Sequence, residues 1–356
     1  MRSRPLVLLL AVIVAAFPVA GCKKLFRLGT RSHRTHTYSS YDGGGYYAYT
    51  APTTYGTTTT AIGAVDAGPA VDPAQQRTLT LNEASCASGS SPTDCNAAGI
   101  AYEEGKGASV DYARAADFYK KACDGKLADG CSNLGALYDD GKGFPEDKAK
   151  ASALYDQACK AGSSRGCNHL GLHYLYAQGG RAQDSAKAVG LFRKACDARD
   201  AYACTNLGYM YWRGLGVVKD PKHAVELYDK GCVGGDPSGC HNLGVQYEKG
   251  EGVFQSDTLA SNYYLRACNG GAAAGCVNYG VLLEVGRGVP AASPASAATY
   301  YERACNSGKA SGCFNLGRLY EHGSGASIDP AKAKSLYKKA CDGGDTDGCT
   351  GYARIP

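Results

Sequence analysis

The sequence predicts an all-α fold, a right-handed α-solenoid of helix–turn–helix repeats stapled by disulfides. Three observations predict it. First, sixteen of the 17 cysteines fall in close pairs: Cys86/Cys95, Cys123/Cys131, Cys159/Cys167, Cys196/Cys204, Cys232/Cys240, Cys268/Cys276, Cys305/Cys313 and Cys341/Cys349. From Cys123 to Cys341 the first members recur every 36 or 37 residues. A fixed period in this range marks stacked supersecondary units, none of which can bury its apolar face alone. Second, each period holds two helical patterns around a G-x-G. Third, small and aromatic residues recur at matched positions of the two patterns.

The elements follow in chain order. Residues 1–21 read as a secretory signal: Arg2 and Arg4 precede an apolar run from Leu6 to Phe17, too short to span a bilayer as an ordinary helix. The run ends in Val19-Ala20-Gly21-Cys22, which resembles the bacterial lipobox. That resemblance implies cleavage before Cys22 and lipidation of its sulfur. Lys23 rather than an aspartate follows it, which by the same resemblance implies sorting to the outer membrane. Residues 22–36 form a basic stem, because Lys23, Lys24, Arg27, Arg31 and Arg34 precede the first acid, Asp42. Such a stretch beside a lipid anchor suits anionic headgroups. Residues 37–76 are rich in Tyr, Thr and Gly, with a run from Thr57 to Thr60, and are expected to be a disordered linker. The array is expected over residues 77–356. Net charge over the whole chain is only +5, which excludes a nucleic-acid binder driven by bulk charge.

One unit shows the pattern of all. Its first helix runs from Cys131 to Tyr138, Gly141 and Gly143 turn the chain, and its second helix carries Tyr155, Ala158 and Cys159. The turn glycines recur as Gly105/Gly107, Gly214/Gly216, Gly250/Gly252, Gly286/Gly288 and Gly323/Gly325. They fit left-handed helix caps, and no strand precedes them to make a phosphate loop. Asp111, Asp184, Asp220, Asp257 and Asp329 are expected to N-cap the second helices. Pro221 and Pro330 follow at the first helical position. On a wheel of about 100° per residue, Leu134, Gly135 and Tyr138 lie within about 60° of Cys131 and define a buried arc. The glycine recurs as Gly99, Gly171, Gly208, Gly244, Gly280 and Gly317. A mid-helix glycine costs about 1 kcal/mol against alanine, so close approach of the partner helix is expected. That partner carries Ala115, Ala151, Ala188, Ala224, Ala260, Ala297 and Ala333, each four residues before an aromatic: Tyr119, Tyr155, Phe192, Tyr228, Tyr264, Tyr301 and Tyr337.

The pattern Leu-Gly-x-x-Tyr followed by Ala-x-x-x-Tyr-x-x-Ala resembles the Sel-one-like repeat, a relative of the tetratricopeptide repeat. With paired cysteines it resembles the bacterial cysteine-rich Hcp-like family, over about residues 95 to 352. Three departures stand out. Residues 78–86 lack the Ala and aromatic positions and are expected to form a degenerate cap, Leu283 replaces the helix tyrosine, and Gly179/Gly180 displaces one turn.

Each cysteine pair joins the end of one helix to the start of the next across a short polar turn, within disulfide reach for an antiparallel pair. Zinc sites group cysteines in fours at shorter spacing, so the export signal and the spacing favour eight disulfides. No metal or cofactor is expected, and no catalytic residue is assigned. The Hcp-like family often carries a β-lactamase label, so Ser335 to Lys338, which spells S-x-x-K, is the alternative to weigh. It stands in a variable slot, and neither S-D-N nor K-T-G accompanies it. His169 and His173, four apart, are expected to be a surface pair without a third ligand.

Binding has broader support. Asn133, Asn206, Asn242, Asn278 and Asn315 recur two residues after the cysteine, about 200° round the wheel from the buried arc. By resemblance to tetratricopeptide arrays this face lines a concave groove, and such an asparagine holds a peptide backbone. A hydrogen-bond ladder between repeats is the other reading. Tyr209, Trp212, Arg213, His241, Arg318 and His322 are the neighbouring groove positions. The expected protein is a lipid-anchored, exported scaffold that takes a protein or peptide in the groove. A β-lactam-binding hydrolase and a structural envelope spacer are the competing classes.

Overall fold

The computed structural model describes residues 72–356. The signal, the Cys22 lipidation site, the stem and the linker up to residue 71 lie outside the described residues. The rest forms sixteen helices, with no strand among the described residues: α1 Pro73–Ala87, α2 Pro92–Glu104, α3 Tyr112–Asp124, α4 Ala128–Asp140, α5 Lys148–Lys160, α6 Ser164–Leu175, α7 Ser185–Asp197, α8 Ala201–Arg213, α9 Pro221–Val233, α10 Pro237–Lys249, α11 Asp257–Asn269, α12 Ala273–Val285, α13 Pro294–Asn306, α14 Ala310–His322, α15 Pro330–Asp342 and α16 Thr346–Arg354. The even helices α2 to α14, here A helices, each pair with the odd helix that follows, the B helix, to make repeats 1 to 7. Helix α1 is a leading B-like cap and α16 a trailing A-like one. None of these helices is long and apolar enough to cross a membrane.

The first helix begins before the expected boundary at residue 77. Asp72 caps α1, its Oδ1 accepting from the Ala74 amide at 2.9 Å, and Pro73 takes the first helical position. This start signal sits in a stretch poor in branched aliphatics, which hid it in the sequence. A second correction concerns α11. Ser256 is its N-cap, its side chain accepting from the Leu259 amide, and Asp257 stands inside the first turn where Arg287 binds it.

All eight disulfides form: Cys86–Cys95, Cys123–Cys131, Cys159–Cys167, Cys196–Cys204, Cys232–Cys240, Cys268–Cys276, Cys305–Cys313 and Cys341–Cys349, with Cα–Cα distances from 4.4 to 4.8 Å. Each joins a B helix to the A helix of the next unit, so every staple lies between repeats rather than inside one. The second cysteines correct the expected helix starts. Cys95, Cys131, Cys167, Cys204, Cys240, Cys276 and Cys313 do not open their A helices; each is the fourth residue of one, and all are buried. Cys349 takes the same place in α16 and is half-buried. The helices begin at the turn because its last residue is the N-cap. Ser91, Ser163, Asp200, Asp236 and Asp345 cap through their side chains. Leu127, Ala272 and Lys309 stand at the same position without a side-chain bond, and this irregular column concealed the boundary. These cysteines are therefore buried staples of the helix joints and present nothing to a ligand.

The A–B contact within a repeat explains the glycine column. A Cβ on Gly280 would lie 2.6 Å from a Tyr301 ring carbon, and one on Gly244 would lie 2.7 Å from Tyr264. The aromatic ring, more than the small alanine four residues before it, demands the glycine. The alanines are wholly buried and let the helix backbones approach.

The two turn glycines differ in role. The first ends an A helix in the left-handed conformation, with φ between +64° and +75°. The second lies on the previous unit: a Cβ on Gly107 would stand 2.5 Å from the Gln75 carbonyl oxygen at the start of α1. Repeat 3 lacks the G-x-G at this register. Tyr176 caps α6 with φ −106°, and Ala177 takes the positive φ of 55° instead.

A further tie between repeats follows the B helices. Lys194 donates to the Cys159 carbonyl at 2.8 Å and Arg266 to the Cys232 carbonyl at 3.0 Å. Each cation thus satisfies the last turn of the preceding B helix, where the helix dipole favours positive charge.

Candidate functional site

Successive A helices touch one another, as in α2–α4, α4–α6, α6–α8, α8–α10, α12–α14 and α14–α16, while no two B helices make comparable contact. The A helices therefore form the inner side of the array, where a ligand groove was expected. The asparagine column lies on this side, but between neighbouring A helices rather than on the open surface. Asn133, Asn206, Asn242 and Asn315 are buried, Asn206 with no exposure at all, and Asn278 is half-buried. The wheel position at about 200° thus corrects to an inter-repeat seam, because an A helix inside a stack is covered on two sides. The amides bond across it. Asn133 Nδ2 donates to Asn96 Oδ1 at 2.9 Å, and Asn206 Nδ2 to Asn168 Oδ1 at 2.9 Å. Asn278 Nδ2 lies 3.1 Å from His241 Nε2, and Arg165 donates to Asn133 Oδ1 at 2.9 Å. These are the contacts of the ladder reading.

A second column ends the A helices: Glu103, Asp139, Leu175, Trp212, Glu248, Glu284 and Glu321. Where it is acidic, the buried B-helix tyrosine donates to it. Tyr119 OH reaches Glu103 at 2.6 Å, Tyr264 OH reaches Glu248 at 2.7 Å, Tyr301 OH reaches Glu284 at 3.0 Å and Tyr337 OH reaches Glu321 at 2.6 Å. Burial first, and the neighbouring carboxylate second, hold the Tyr119 phenol far above its ordinary range. Opposite Leu175 the B helix carries Phe192, without a hydroxyl, whereas opposite Trp212 it keeps Tyr228. The sequence held this coupling, but only comparison of repeats at two positions at once would have found it.

Cations from the following repeat complete the column. Arg318 Nη2 lies 2.8 and 2.6 Å from the two oxygens of Glu284, Arg354 Nη2 lies 2.7 Å from both of Glu321, and Arg287 reaches Glu248 at 3.3 Å. Arg318, expected as a groove ligand, is thus half-buried in a carboxylate pair.

Repeats 3 and 4 break this pattern and present aromatic surface. Tyr176 is 44% exposed, Tyr209 and Trp212 are half-buried, and Arg213 is exposed. The Tyr209 and Trp212 rings lie 6.2 Å apart, and the Arg213 guanidinium sits 5.5 Å from the Trp212 ring centre. Trp212 Nε1 donates to Glu251 at 2.8 Å, which fixes the indole. Partial burial, and Tyr209 nearby, push the Tyr176 phenol up. Of the residues expected in the groove, Tyr209, Trp212 and Arg213 fall on this surface; Tyr176, which joins them, holds the register of Arg213 and His322 and was missed because the turn of repeat 3 lacks the G-x-G that marks that register.

His169 and His173 are not a surface pair. They are 9% and 1% exposed and flank Tyr155, His169 stacked on its ring at 4.8 Å and His173 edge-on at 5.3 Å. His173 Nε2 lies 3.2 Å from Asp139. Among the described residues no group of three His, Cys, Asp or Glu side chains is placed to hold a metal. Burial pushes the Asp139 carboxyl up, but the hydrogen bond and charge of His173 outweigh it and leave it below its ordinary value. Burial lowers His169 from 6.5 to about 4, against the charge of Asp139 and with that of Arg165 and His173. A histidine whose folded value is depressed contributes stability that is complete above its unfolded value and lost as the pH falls through the folded one. The melting temperature is therefore expected to fall between pH 6.5 and about 4, by an amount worth about 3 kcal/mol at full protonation. His169→Phe, which keeps the stack on Tyr155, should flatten that part of the profile in a pH series of thermal melts; an unchanged slope would contradict the assignment.

The S-x-x-K residues make no catalytic arrangement. Ser335 is exposed on the outer side of α15, and Lys338 Nζ donates to Asp342 at 2.7 Å, which raises its pKa and keeps it protonated.

The Sel1 repeat pattern matches seven times, over residues 94–127, 128–163, 164–200, 201–236, 237–271, 273–309 and 310–345. These units coincide with the seven A–B pairs. A protective antigen of uropathogenic Escherichia coli displaying an SLR fold is 28% identical with a TM-score of 0.58, over 78% of this chain and 59% of that one. The chain thus spans less than two thirds of that antigen's length. A Sel1 repeat protein from Oxalobacter formigenes is 24% identical with a TM-score of 0.59, over 78% of this chain and 80% of that one. No curated protein matches the chain in sequence.

Proposed function

The chain belongs to the Sel1 repeat family, and from that premise we propose that it is an exported scaffold, anchored through Cys22 at the outer membrane, that binds a protein or peptide on the inner side of repeats 3 and 4. Sel1 repeats build scaffolds that generally mediate protein–protein interactions. The single observation that carries the location is the exposed aromatic surface of Tyr176, Tyr209 and Trp212, where the acid column of the other repeats is interrupted. Aromatic and arginine side chains together are the composition of interface hot spots. The lipobox pattern and eight disulfides, which persist outside the reducing cytosol, support export.

A photoreactive residue placed at Tyr176 in intact cells should crosslink a discrete protein, whereas the same residue at Lys121 on a B helix should not. Equal labelling from both positions, or none from Tyr176, would count against this surface. Cys22→Ser should move the protein out of the membrane fraction; unchanged fractionation and mass would end the anchoring proposal.

A further inference from the structure

We propose that Glu103 and Tyr119, in repeat 1, form a preformed site for an arginine side chain of the partner, which fixes both the chemistry and the direction of the bound segment. This rests on the reading that the partner lies along the inner side of the A helices.

The array supplies the reasoning by comparison with itself. In repeats 6 and 7 a carboxylate that ends the A helix accepts from the buried B-helix tyrosine and then takes a guanidinium from the next A helix. Glu284 accepts from Tyr301 and takes Arg318; Glu321 accepts from Tyr337 and takes Arg354. Repeat 5 does the same through a loop arginine, with Glu248, Tyr264 and Arg287. In repeat 2 the partner is the imidazole of His173, 3.2 Å from Asp139. Repeat 1 has the same first half: Tyr119 OH donates to Glu103 Oε2 at 2.6 Å. Its second half differs. The position equivalent to Arg318 and Arg354 is Ala136, half-buried and too short to reach. Lys142, from the following turn, pairs with Asp140 of its own repeat at 3.0 Å instead. Glu103 is thus the one acid of this column that no arginine or histidine side chain bonds among the described residues.

Its setting leaves the charge only partly offset: the Arg165 guanidinium is near enough to act on Tyr119, but it bonds Asn133 and not Glu103. Glu103 and Glu104 close α2, and Asp139 and Asp140 close α4, at the helix ends where the macrodipole is already negative. The nearby lysines offset only part of this: Lys106 pairs with Glu104 in the open, where such pairs contribute little and exchange readily. A carboxylate held by a tyrosine at the mouth of two such helix ends selects a cation. A planar guanidinium, with several donors that lie between both oxygens and against a tyrosine edge, fits what repeats 6 and 7 accept; an ammonium matches it less well.

The aromatic surface sets the register. Adjacent packed helices lie about 10 Å apart, so α2 and α6 are separated by about 20 Å along the inner side. An extended chain covers that in about six residues. Arg213 disfavours a second cation at the aromatic end, so the arginine must point toward repeat 1. The ligand chemistry is therefore an extended segment with an arginine about six residues from an aromatic or large apolar anchor.

The test uses the full chain and a fluorescein-labelled peptide, Arg-Gly-Ser-Gly-Ser-Gly-Trp, with Lys and Ser replacing Arg in two controls. The arginine peptide should bind at least tenfold more tightly than either control by anisotropy. Glu103→Gln should remove that preference. Ala136→Arg, which supplies the guanidinium internally as repeats 6 and 7 do, should remove it without lowering the melting temperature, so loss of fold is not the explanation. Equal affinity for the Arg, Lys and Ser peptides, unchanged preference in both variants, or no binding of any of the three would overturn the arginine site. If the three bind equally but all lose binding in Tyr176→Ala, the aromatic surface stands and only the arginine site falls. If binding ignores Tyr176 as well, the location proposed for the partner fails with it.

Discussion

Gly280→Leu is expected to destabilise the array more than any single surface substitution, by about 3 kcal/mol or more. A Cβ at this position already falls 2.6 Å from the Tyr301 ring, and Tyr301 is wholly buried, so the ring has nowhere to move. Overpacking of this kind costs about 1–3 kcal/mol and sometimes more, against which the better helix propensity of leucine returns under about 1 kcal/mol. Gly190→Ala is the matched control. Gly190 lies within α7 and has nothing within 4 Å of an added Cβ, so it should gain up to about 1 kcal/mol from propensity alone. Thermal melts followed by circular dichroism would show the two shifts with opposite signs. Equal and small shifts would mean that the helix pairs are looser than the buried rings indicate.

Removing a central staple should be nearly as damaging. In the chain-entropy account, closing a loop of about nine residues contributes about 2.5 kcal/mol. Cys232 and Cys240 are 1% and 3% exposed and lie at the joint between repeats 4 and 5. In a quasi-one-dimensional stack a weakened joint divides the array into two shorter ones. Cys232→Ala with Cys240→Ala should therefore broaden the melt and lower its midpoint. The same pair of changes at Cys341 and Cys349, half-buried at the last joint, should fray only the end. Identical melts from the two variants would contradict a stack coupled joint by joint.

The fold was legible because it rests on periodic observables. Cysteines, glycines, alanines and aromatics each recur once per unit, and one unit predicts the next. Helix starts were less so: the column four residues before Cys95, Cys167, Cys204, Cys276 and Cys313 mixes serine and aspartate caps with alanine and lysine, so no single residue type marks it. The inner surface was less legible because a helical wheel describes a helix with one covered side. The A helices have two, so Asn206 and Asn242, placed by the wheel on open surface, lie in the seam between repeats. The histidines followed the same error: His169 and His173 share a helix face that looked polar but packs on Tyr155 of the preceding repeat. The acid column was visible in outline, yet its partners come from a different helix and a different repeat. Only spatial contacts could pair Glu284 with Arg318, 34 positions on. Tyr176 became notable only once the structure showed it exposed, because the displaced turn of repeat 3 hid that it holds the register of Arg213 and His322.

The central claim is that the inner side divides its labour, with asparagines holding repeat to repeat and the aromatic surface of repeats 3 and 4 meeting the partner. The most direct measurement compares two double variants for partner affinity and melting temperature in parallel. Tyr176→Ala with Arg213→Ala, both at exposed positions, should lose at least tenfold in affinity and melt as the parent does. Asn168→Ala with Asn206→Ala should melt lower, by an amount worth about 1–3 kcal/mol for a buried amide pair, and bind normally while folded. The opposite result, in which the asparagine variant melts like the parent but no longer binds and the aromatic variant binds as before, would contradict the account.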